Sequence, residues 1–271
     1  FRAPQWYLGD MKQILLDFAK KSCWIKFGAI DFIITHSNDA KKTLISKGIK
    51  RIAYVPLGID LNVFNPNVDH KTLYDEFDIP SGSDIVLFGG DLTPDKGIDI
   101  FLKALAILSK KRKTIYGFVP TKGLYERYGE HLSYVRSLIY KFKLKGKVFI
   151  IGPRKDINKF FAISKVVVFP FRKSYAVMDI PRMMLEAMAC GKPVVTTKYG
   201  SITEVVFNGQ NGIIVDSYNA SEIADAVLYL LSNKTLLVDM GKKAHQTIRT
   251  KYCLEAMTEY IFNIYQRVLF S

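Results

Sequence analysis

The sequence predicts an α/β protein with a Rossmann-like, doubly wound parallel sheet, and three observations support this fold class. From about residue 27 onwards, short β-branched or aromatic runs alternate with amphipathic segments of helical period. Most of the short runs are continuously apolar, as expected of strands that helices cover on both faces. The repeated strand–helix order indicates right-handed crossovers between parallel strands.

The individual elements follow from these runs in chain order. Strands are predicted at residues 32–34, 52–55, 85–88, 115–118, 148–151, 166–169, 193–196 and 213–215. Helices are predicted at residues 98–110, 132–142, 157–164, 183–190 and 221–232. The last segment, residues 254–270, carries one apolar stripe and is predicted to be an amphipathic helix.

The first part of the chain, up to about residue 60, differs from the rest. Residues 10–26 have a long helical pattern, and one strand and a short helix at 38–47 follow, which is too little for a domain. Residues 62–69 contain Pro66 and several asparagines, as linkers do. The chain starts with Phe1 rather than Met, so we expect that it lacks a beginning.

These features divide the chain into three parts. We expect residues 1–62 to be the end of an incomplete N-terminal domain and residues 63–253 to form the Rossmann-like domain. Residues 254–271 are expected to form a helix that crosses back toward the N-terminal domain.

Charge bears on the choice of partners. The formal net charge of +14 attracts nucleic acid, anionic lipid headgroups or phosphorylated small molecules. Basic residues cluster at 110–113 and 141–147, and a solvated, lysine-rich surface is the simplest interpretation. Peripheral contact with an anionic membrane is the second interpretation. Nucleic acid is not an expected partner, because no recognised binding motif accompanies the charge.

Cysteine usage and hydropathy favour a cytoplasmic location, with the inner face of the membrane as an option. Cys23, Cys190 and Cys253 are scattered without metal-ligand spacing, so neither a disulfide framework nor a zinc site is expected. No apolar run approaches the ~20 residues of a membrane-spanning helix.

A glycine-rich turn between the strand at 85–88 and the helix at 98–110 is the first candidate site. It runs from Gly89 to Gly97, where glycine lets the backbone approach a ligand closely. The N-terminus of the next helix offers unpaired N–H groups to an anion, and Lys96 adds a positive charge suited to phosphate. Such turns also occur without a ligand, so a purely structural turn stays open.

A carboxylate within an apolar helix is the second candidate. Pro181 suits the first turn of a helix, and the apolar run that follows at 183–190 contains Glu186. Because one face of this helix packs on the sheet, the carboxylate needs a partner, and a ribose diol donates two suitable hydroxyl hydrogens. The alternative is an exposed glutamate on the outer face of the helix.

The order of these segments resembles the large retaining group of GT-B glycosyltransferases, often called group 1 or family 4. The resemblance covers nearly the whole chain from about Asp31 to the end. It rests on Ser37 after the first strand, the run 55–60 with Phe64, the loop 90–97, the run 185–195, Ser201 with the stretch 204–212 that begins at Glu204, and the closing helix.

This resemblance implies two Rossmann-like domains that face a cleft. The C-terminal domain is expected to bind a UDP- or GDP-linked sugar, and the N-terminal domain a glycan or lipid-linked glycan acceptor. Transfer with retention of configuration is implied, typically without a metal ion or another cofactor, and the catalytic groups cannot be assigned. The donor-binding residues implied for this chain are Gly90, Asp91, Lys96, Asp179, Arg182, Leu185 and Glu186.

Two positions depart from the family's pattern. A loop lysine and a preceding arginine neutralise the donor diphosphate in the family; Lys96 matches the lysine, but Asp91 takes the place of the arginine. The family also has two acids eight positions apart, of which Glu186 matches the second, whereas Met178 holds the first position and Asp179 follows it. Arg182, near the helix start, is a hypothetical source of the missing positive charge.

Two other classes of function stand beside this one. A non-catalytic or degenerate nucleotide-sugar-binding module accounts for both departures and for the nearly absent acceptor half. A dinucleotide-dependent Rossmann enzyme is disfavoured, because the first turn lacks a Gly-x-Gly-x-x-Gly run. The four histidines lie far apart, and no serine, cysteine or metal constellation is evident.

Overall fold

Two parallel sheets organise the part of the chain that the structure describes. The structure is a computed structural model and describes residues 32–121, 129–172, 180–216 and 218–269. In the smaller sheet, β1 (Ile33–Thr35) pairs with β2 (Ile52–Tyr54), and α1 (Asn38–Ser46) connects them. The larger sheet contains β3 (Asp84–Phe88), β4 (Ile115–Pro120), β5 (Val148–Ile151), β6 (Val166–Phe169), β7 (Val194–Thr197) and β8 (Gly212–Val215).

Helices alternate with the strands of the larger sheet over most of its length. They are α2 (Thr72–Glu76), α3 (Ile98–Lys111), α4 (Gly129–Lys141), α5 (Ile157–Ile163), α6 (Arg182–Ala189), α7 (Ala220–Ser232), α8 (Lys234–Lys251) and α9 (Leu254–Leu269). Two 3₁₀ helices, Pro94–Lys96 before α3 and Ile202–Glu204 after β7, lie in the loops at the carboxyl ends of their strands.

The strand order of the larger sheet creates a switch point at its centre. The order is β5-β4-β3-β6-β7-β8, and every neighbouring pair is parallel. The chain therefore moves outward from β3 to β5, returns to β6 beside β3, and continues in the opposite direction. Ligands of open α/β sheets bind outside the carboxyl ends of the strands at this point. The prediction of a doubly wound parallel sheet is confirmed.

Both faces of the larger sheet are covered by apolar side chains. Along β3, Ile85 and Leu87 belong to one buried cluster, whereas Val86 and Phe88 belong to the other. Successive side chains of a strand point to opposite faces, so a strand buried on both sides is expected to be largely apolar along its whole length. This explains why the strands appear in the sequence as continuous rather than alternating apolar runs.

The structure differs from the sequence-based element assignment mainly at α8. Its buried residues form a narrow stripe, Met240, Gly241, Ala244 and Ile248, and Leu236 and Leu237 near its start pack against the cluster that contains Met240. A stripe that narrow is hard to recognise within a lysine-rich segment. The short α2 was not predicted either, and α4 begins three residues before its predicted start. The helix predicted at residues 10–26 lies outside the described residues.

One connection between the smaller sheet and the larger unit lies at the junction of the last two helices. The Ile59 N–H donates to the Tyr252 carbonyl (2.8 Å), and the Leu254 N–H donates to the Ile59 carbonyl (3.2 Å), between α8 and α9. A Cβ atom on Gly58 would lie 3.0 Å from the Met257 Cβ, so α9 packs directly on this connection. Within the described ranges, none of the helices has the length and hydropathy that a bilayer crossing requires.

Candidate functional site

The loop from Gly89 to Gly97 leaves the carboxyl end of β3 at the switch point and packs on the segment that follows β6. Gly97 has a φ of +77°, and a Cβ atom there would lie 1.9 Å from the Pro170 carbonyl oxygen. A Cβ atom on Gly89 would lie 2.1 Å from the Phe169 ring. Only glycine fits at both positions, so the two loops at the switch point are held against each other.

Two predicted residues of this loop have local roles in the structure. The Asp91 carboxylate accepts hydrogen bonds from the backbone N–H (3.0 Å) and the hydroxyl group of Thr93. Asp91 therefore shapes the turn that leads into the 3₁₀ helix. Gly90 provides space for Lys96, because a Cβ atom on Gly90 would lie 3.0 Å from the Lys96 Cβ.

Lys96 lies at the carboxyl edge of the sheet, beside the end of β6. Its Nζ atom lies 5.3 Å from the centroid of the Phe171 ring, a cation–π distance. Two threonines of β7 fix that segment: the Thr196 hydroxyl donates to the Phe169 carbonyl (3.1 Å) and the Thr197 hydroxyl to the Phe171 carbonyl (2.8 Å). Strands β3, β6 and β7 thus jointly position the lysine that the sequence analysis selected.

Arg172 is a functional candidate that the sequence analysis missed. Its backbone N–H donates to the Asp95 carbonyl (3.0 Å), and its guanidinium Nη2 forms an ion pair with Asp99 in the first turn of α3. The Arg172 Nε and the Asp99 Oδ1 are buried and have no hydrogen-bond partner among the described residues. The side chain of Arg172 is 37% exposed.

A sequence signal for Arg172 does exist. It stands shortly after the apolar strand that ends at Phe169, and residues that follow a parallel strand line the crevice at its carboxyl end. The position of Asp99, which holds the guanidinium, becomes evident only when α3 is placed beside β6.

Helix α6 carries the second predicted site. Its start follows Pro181, and the side chains of Met184, Leu185 and Ala187 are fully buried. Leu185 thus packs in the core, whereas Glu186 keeps a side-chain exposure of 16%. The Arg182 Nε donates to the Glu186 Oε1 at 3.0 Å.

Arg182 therefore lies next to the acid Glu186. Its side chain is 67% exposed, and its guanidinium pairs with the carboxylate one helical turn away. Asp179, and the neighbouring Met178, lie outside the described residues. Lys96, Arg172 and the start of α6 all belong to segments at the carboxyl ends of β3 and β6, which the sheet order makes neighbours.

The chemistry of these groups suits a phosphorylated ligand. Two cations, Lys96 and Arg172, lie near the N-terminus of α3, where unpaired N–H groups and the helix dipole favour an anion. Glu186 adds a carboxylate that can accept hydroxyl hydrogens. Among the described residues, no group of three or more His, Cys, Asp or Glu side chains is arranged to hold a metal ion.

Cys190, just after α6, lacks the properties of a nucleophile. Burial raises the pKa of its thiol to about 12. The thiolate is the reactive form of cysteine, so this side chain stays inert at neutral pH. Burial also lowers the pKa of the neighbouring Lys192 to about 8, and its amino group donates to the Ala162 carbonyl (2.7 Å).

Comparison with solved structures supports this architecture. A glycosyltransferase from Rickettsia africae matches 99% of this chain and 68% of its own chain, with a TM-score of 0.80 and 23% identity. The HepE protein of Anabaena, solved in complex with UDP and glucose, matches 86% of this chain and 62% of its own, with a TM-score of 0.76 and 22% identity. Likeness at this level of identity shows a shared fold, and the expected fold class is confirmed.

Comparison at the sequence level gives the family. A D-inositol 3-phosphate glycosyltransferase from Pseudarthrobacter chlorophenolicus is 31% identical over 222 residues, which are 80% of this chain and 51% of that protein. The chain thus spans about half the length of that relative. The family model for glycosyl transferases group 1 matches residues 69–247, more than half of the chain. The chain belongs to the group 1 family of glycosyl transferases.

Proposed function

We propose that this chain contains the donor-binding half of a retaining glycosyltransferase, which transfers a sugar from a nucleoside diphosphate sugar to a glycan or lipid-linked glycan. The observation that carries the proposal is that Lys96 and Glu186 lie on segments that follow adjacent strands at the switch point. The complexes of HepE with UDP and with UDP-glucose are consistent with a UDP-linked donor.

In the proposed complex, the diphosphate lies at the N-terminus of α3. Lys96 and Arg172 supply two positive charges there. Arg172 replaces the positive charge of the family's loop arginine, whose position Asp91 occupies in this chain. Charge accumulates on the diphosphate as the bond to the sugar breaks, so fixed cations stabilise the transition state more than the bound donor. Glu186 accepts hydrogen bonds from the ribose hydroxyls, and Arg182 orients this carboxylate through the hydrogen bond from its Nε to the Glu186 Oε1. The proposed reaction needs no metal ion.

The acceptor side follows from the domain division. We propose that the segment up to residue 62 ends an acceptor-binding domain and that residues 63–253 form the donor-binding domain, with α9 returning toward the former. The net charge of +14 supports peripheral binding to an anionic membrane surface on the cytoplasmic side, where lipid-linked acceptors reside.

The second candidate function is a nucleotide-sugar-binding module without catalysis. Asp91 favours this non-catalytic function, because its carboxylate accepts a hydrogen bond from the Thr93 N–H at the position where the family has an arginine. Both functions share the donor site. Sugar transfer from a bound donor to an added acceptor distinguishes them.

Calorimetric titration with UDP, GDP and UDP-glucose tests the proposal. We expect saturable binding of one nucleotide, and Glu186→Ala should weaken it about 10- to 100-fold, because a charged hydrogen-bond acceptor is lost. The matched control is Glu222→Ala, which removes an exposed glutamate from the first turn of α7. The proposal fails if the folded chain binds none of these ligands, or if both variants bind as the unmodified chain does.

A further inference from the structure

Glu204 connects the two sheets through the N-terminus of α1. It ends the 3₁₀ helix that follows β7, at the carboxyl edge of the larger sheet. Its Oε2 accepts hydrogen bonds from the backbone N–H and the side-chain amide of Asn38, each at 3.0 Å. Its Oε1 accepts from the Asp39 N–H, also at 3.0 Å.

These hydrogen bonds complete a helix cap with a residue from a distant part of the chain. The first N–H groups of a helix have no partner within the helix. The Ser37 hydroxyl accepts from the Ala40 N–H (3.0 Å), and Glu204 satisfies the two N–H groups that precede it. A carboxylate at this end also interacts favourably with the helix dipole.

The larger sheet fixes the position of Glu204. The Tyr252 hydroxyl donates to the Glu204 carbonyl (3.2 Å), and Tyr252 is fully buried. The adjacent Ile202 and Val205 are also fully buried. The carboxylate is therefore presented to α1 by a rigid part of the larger unit.

Glu204 also lies at the end of the molecule where the donor is proposed to bind. Strands β3, β6 and β7 are adjacent and parallel, so the loop after β7 shares an edge with the Gly89–Gly97 loop. A residue that holds α1 at this edge therefore also limits how the β1-α1-β2 unit is placed relative to the switch point.

We infer that Glu204 is a positioning residue, whose carboxylate holds the β1-α1-β2 unit at the donor-side edge of the larger sheet. Its hydrogen bonds with Asn38 and Asp39 are called the clasp below. The clasp fixes the orientation of the acceptor-side unit relative to the nucleotide site. The assignment of a donor side and an acceptor side rests on the proposed function, whereas the hydrogen bonds of Glu204 with α1 do not depend on it.

Hydrogen exchange of the intact chain, followed by mass spectrometry, tests the clasp. In Glu204→Ala, peptides from residues 33–55 should exchange about tenfold faster, a factor typical of a lost helix cap. Peptides that contain β3 and β6 should exchange as before. Glu204→Gln retains one acceptor oxygen without the charge and should recover part of the protection. Glu222→Ala is the control and should change neither region.

Two results overturn the inference. Unchanged exchange at residues 33–55 in Glu204→Ala shows that the clasp does not hold the unit. An equal loss of protection throughout the larger sheet shows that Glu204 stabilises the whole fold rather than the junction. Nucleotide titration of the same variants distinguishes the two proposals. The affinity for nucleotide should change less than twofold in Glu204→Ala. If the unmodified chain binds no nucleotide, only the proposed function is contradicted.

Discussion

Replacing Gly97 by alanine should destabilise the chain by about 2–5 kcal/mol, because two costs coincide at this position. Its φ of +77° lies in the left-handed region, which costs an L-residue about 1–2 kcal/mol. The new Cβ atom would also lie 1.9 Å from the Pro170 carbonyl oxygen, so the loops after β3 and β6 must separate. Thermal unfolding measures the effect, and the melting temperature should fall by roughly 5–15 °C.

Gly146→Ala is a matched control for this prediction. Gly146 has a nearly identical φ of +74°, but among the described residues no heavy atom outside Gly146 and its two chain neighbours lies within 4 Å of a Cβ built there. It therefore reports the backbone cost alone, about 1–2 kcal/mol. Equal destabilisation by the two substitutions contradicts the tight packing of the two loops at the switch point.

Lys96→Ala should weaken binding of the nucleoside diphosphate about 10- to 100-fold, because a charged hydrogen bond to phosphate is lost. Arg172→Ala should have an effect of the same size, since Asp99 holds its guanidinium beside the first turn of α3. Arg182→Ala should have a smaller effect, because Arg182 pairs with Glu186. Calorimetry with UDP measures all three.

Lys103→Ala provides the reference for general charge effects, since Lys103 is an exposed lysine on α3. If it weakens binding as much as Lys96→Ala does, the net charge rather than the site attracts the nucleotide. If Arg182→Ala strongly weakens UDP binding and Arg172→Ala does not, Arg182 rather than Arg172 provides the positive charge that Asp91 lacks, which is the hypothesis drawn from the sequence.

Most of the fold follows from the sequence because the strands of a sheet covered on both faces form nearly continuous apolar runs. Runs such as the one at 85–88 differ clearly from the amphipathic segments between them. Helix α8 is not predicted in this way, since its buried residues form only a narrow stripe in a lysine-rich segment, namely Met240, Gly241, Ala244 and Ile248. The amphipathic pattern at 254–270 is sufficient to predict α9 nearly to its ends.

The candidate site is predictable where one residue and its neighbours in sequence carry the chemistry. Lys96 in a glycine-rich turn and Glu186 in an apolar helix are such cases. Arg172 depends on Asp99, and Glu204 on the N-terminus of α1, so their roles depend on contacts between distant segments. The sequence likewise reveals the charge reversal at Asp91 but not its hydrogen bonds with Thr93, which involve loop geometry.

A crystal structure of the chain grown with UDP tests the central claim, that a nucleoside diphosphate binds at the switch point. We expect the diphosphate at the N-terminus of α3, with phosphate oxygens within hydrogen-bond distance of the Lys96 Nζ and the Arg172 guanidinium. We also expect the ribose hydroxyls to donate to the Glu186 carboxylate. UDP bound elsewhere, or bound at this edge with its ribose turned away from Glu186, would contradict this donor site.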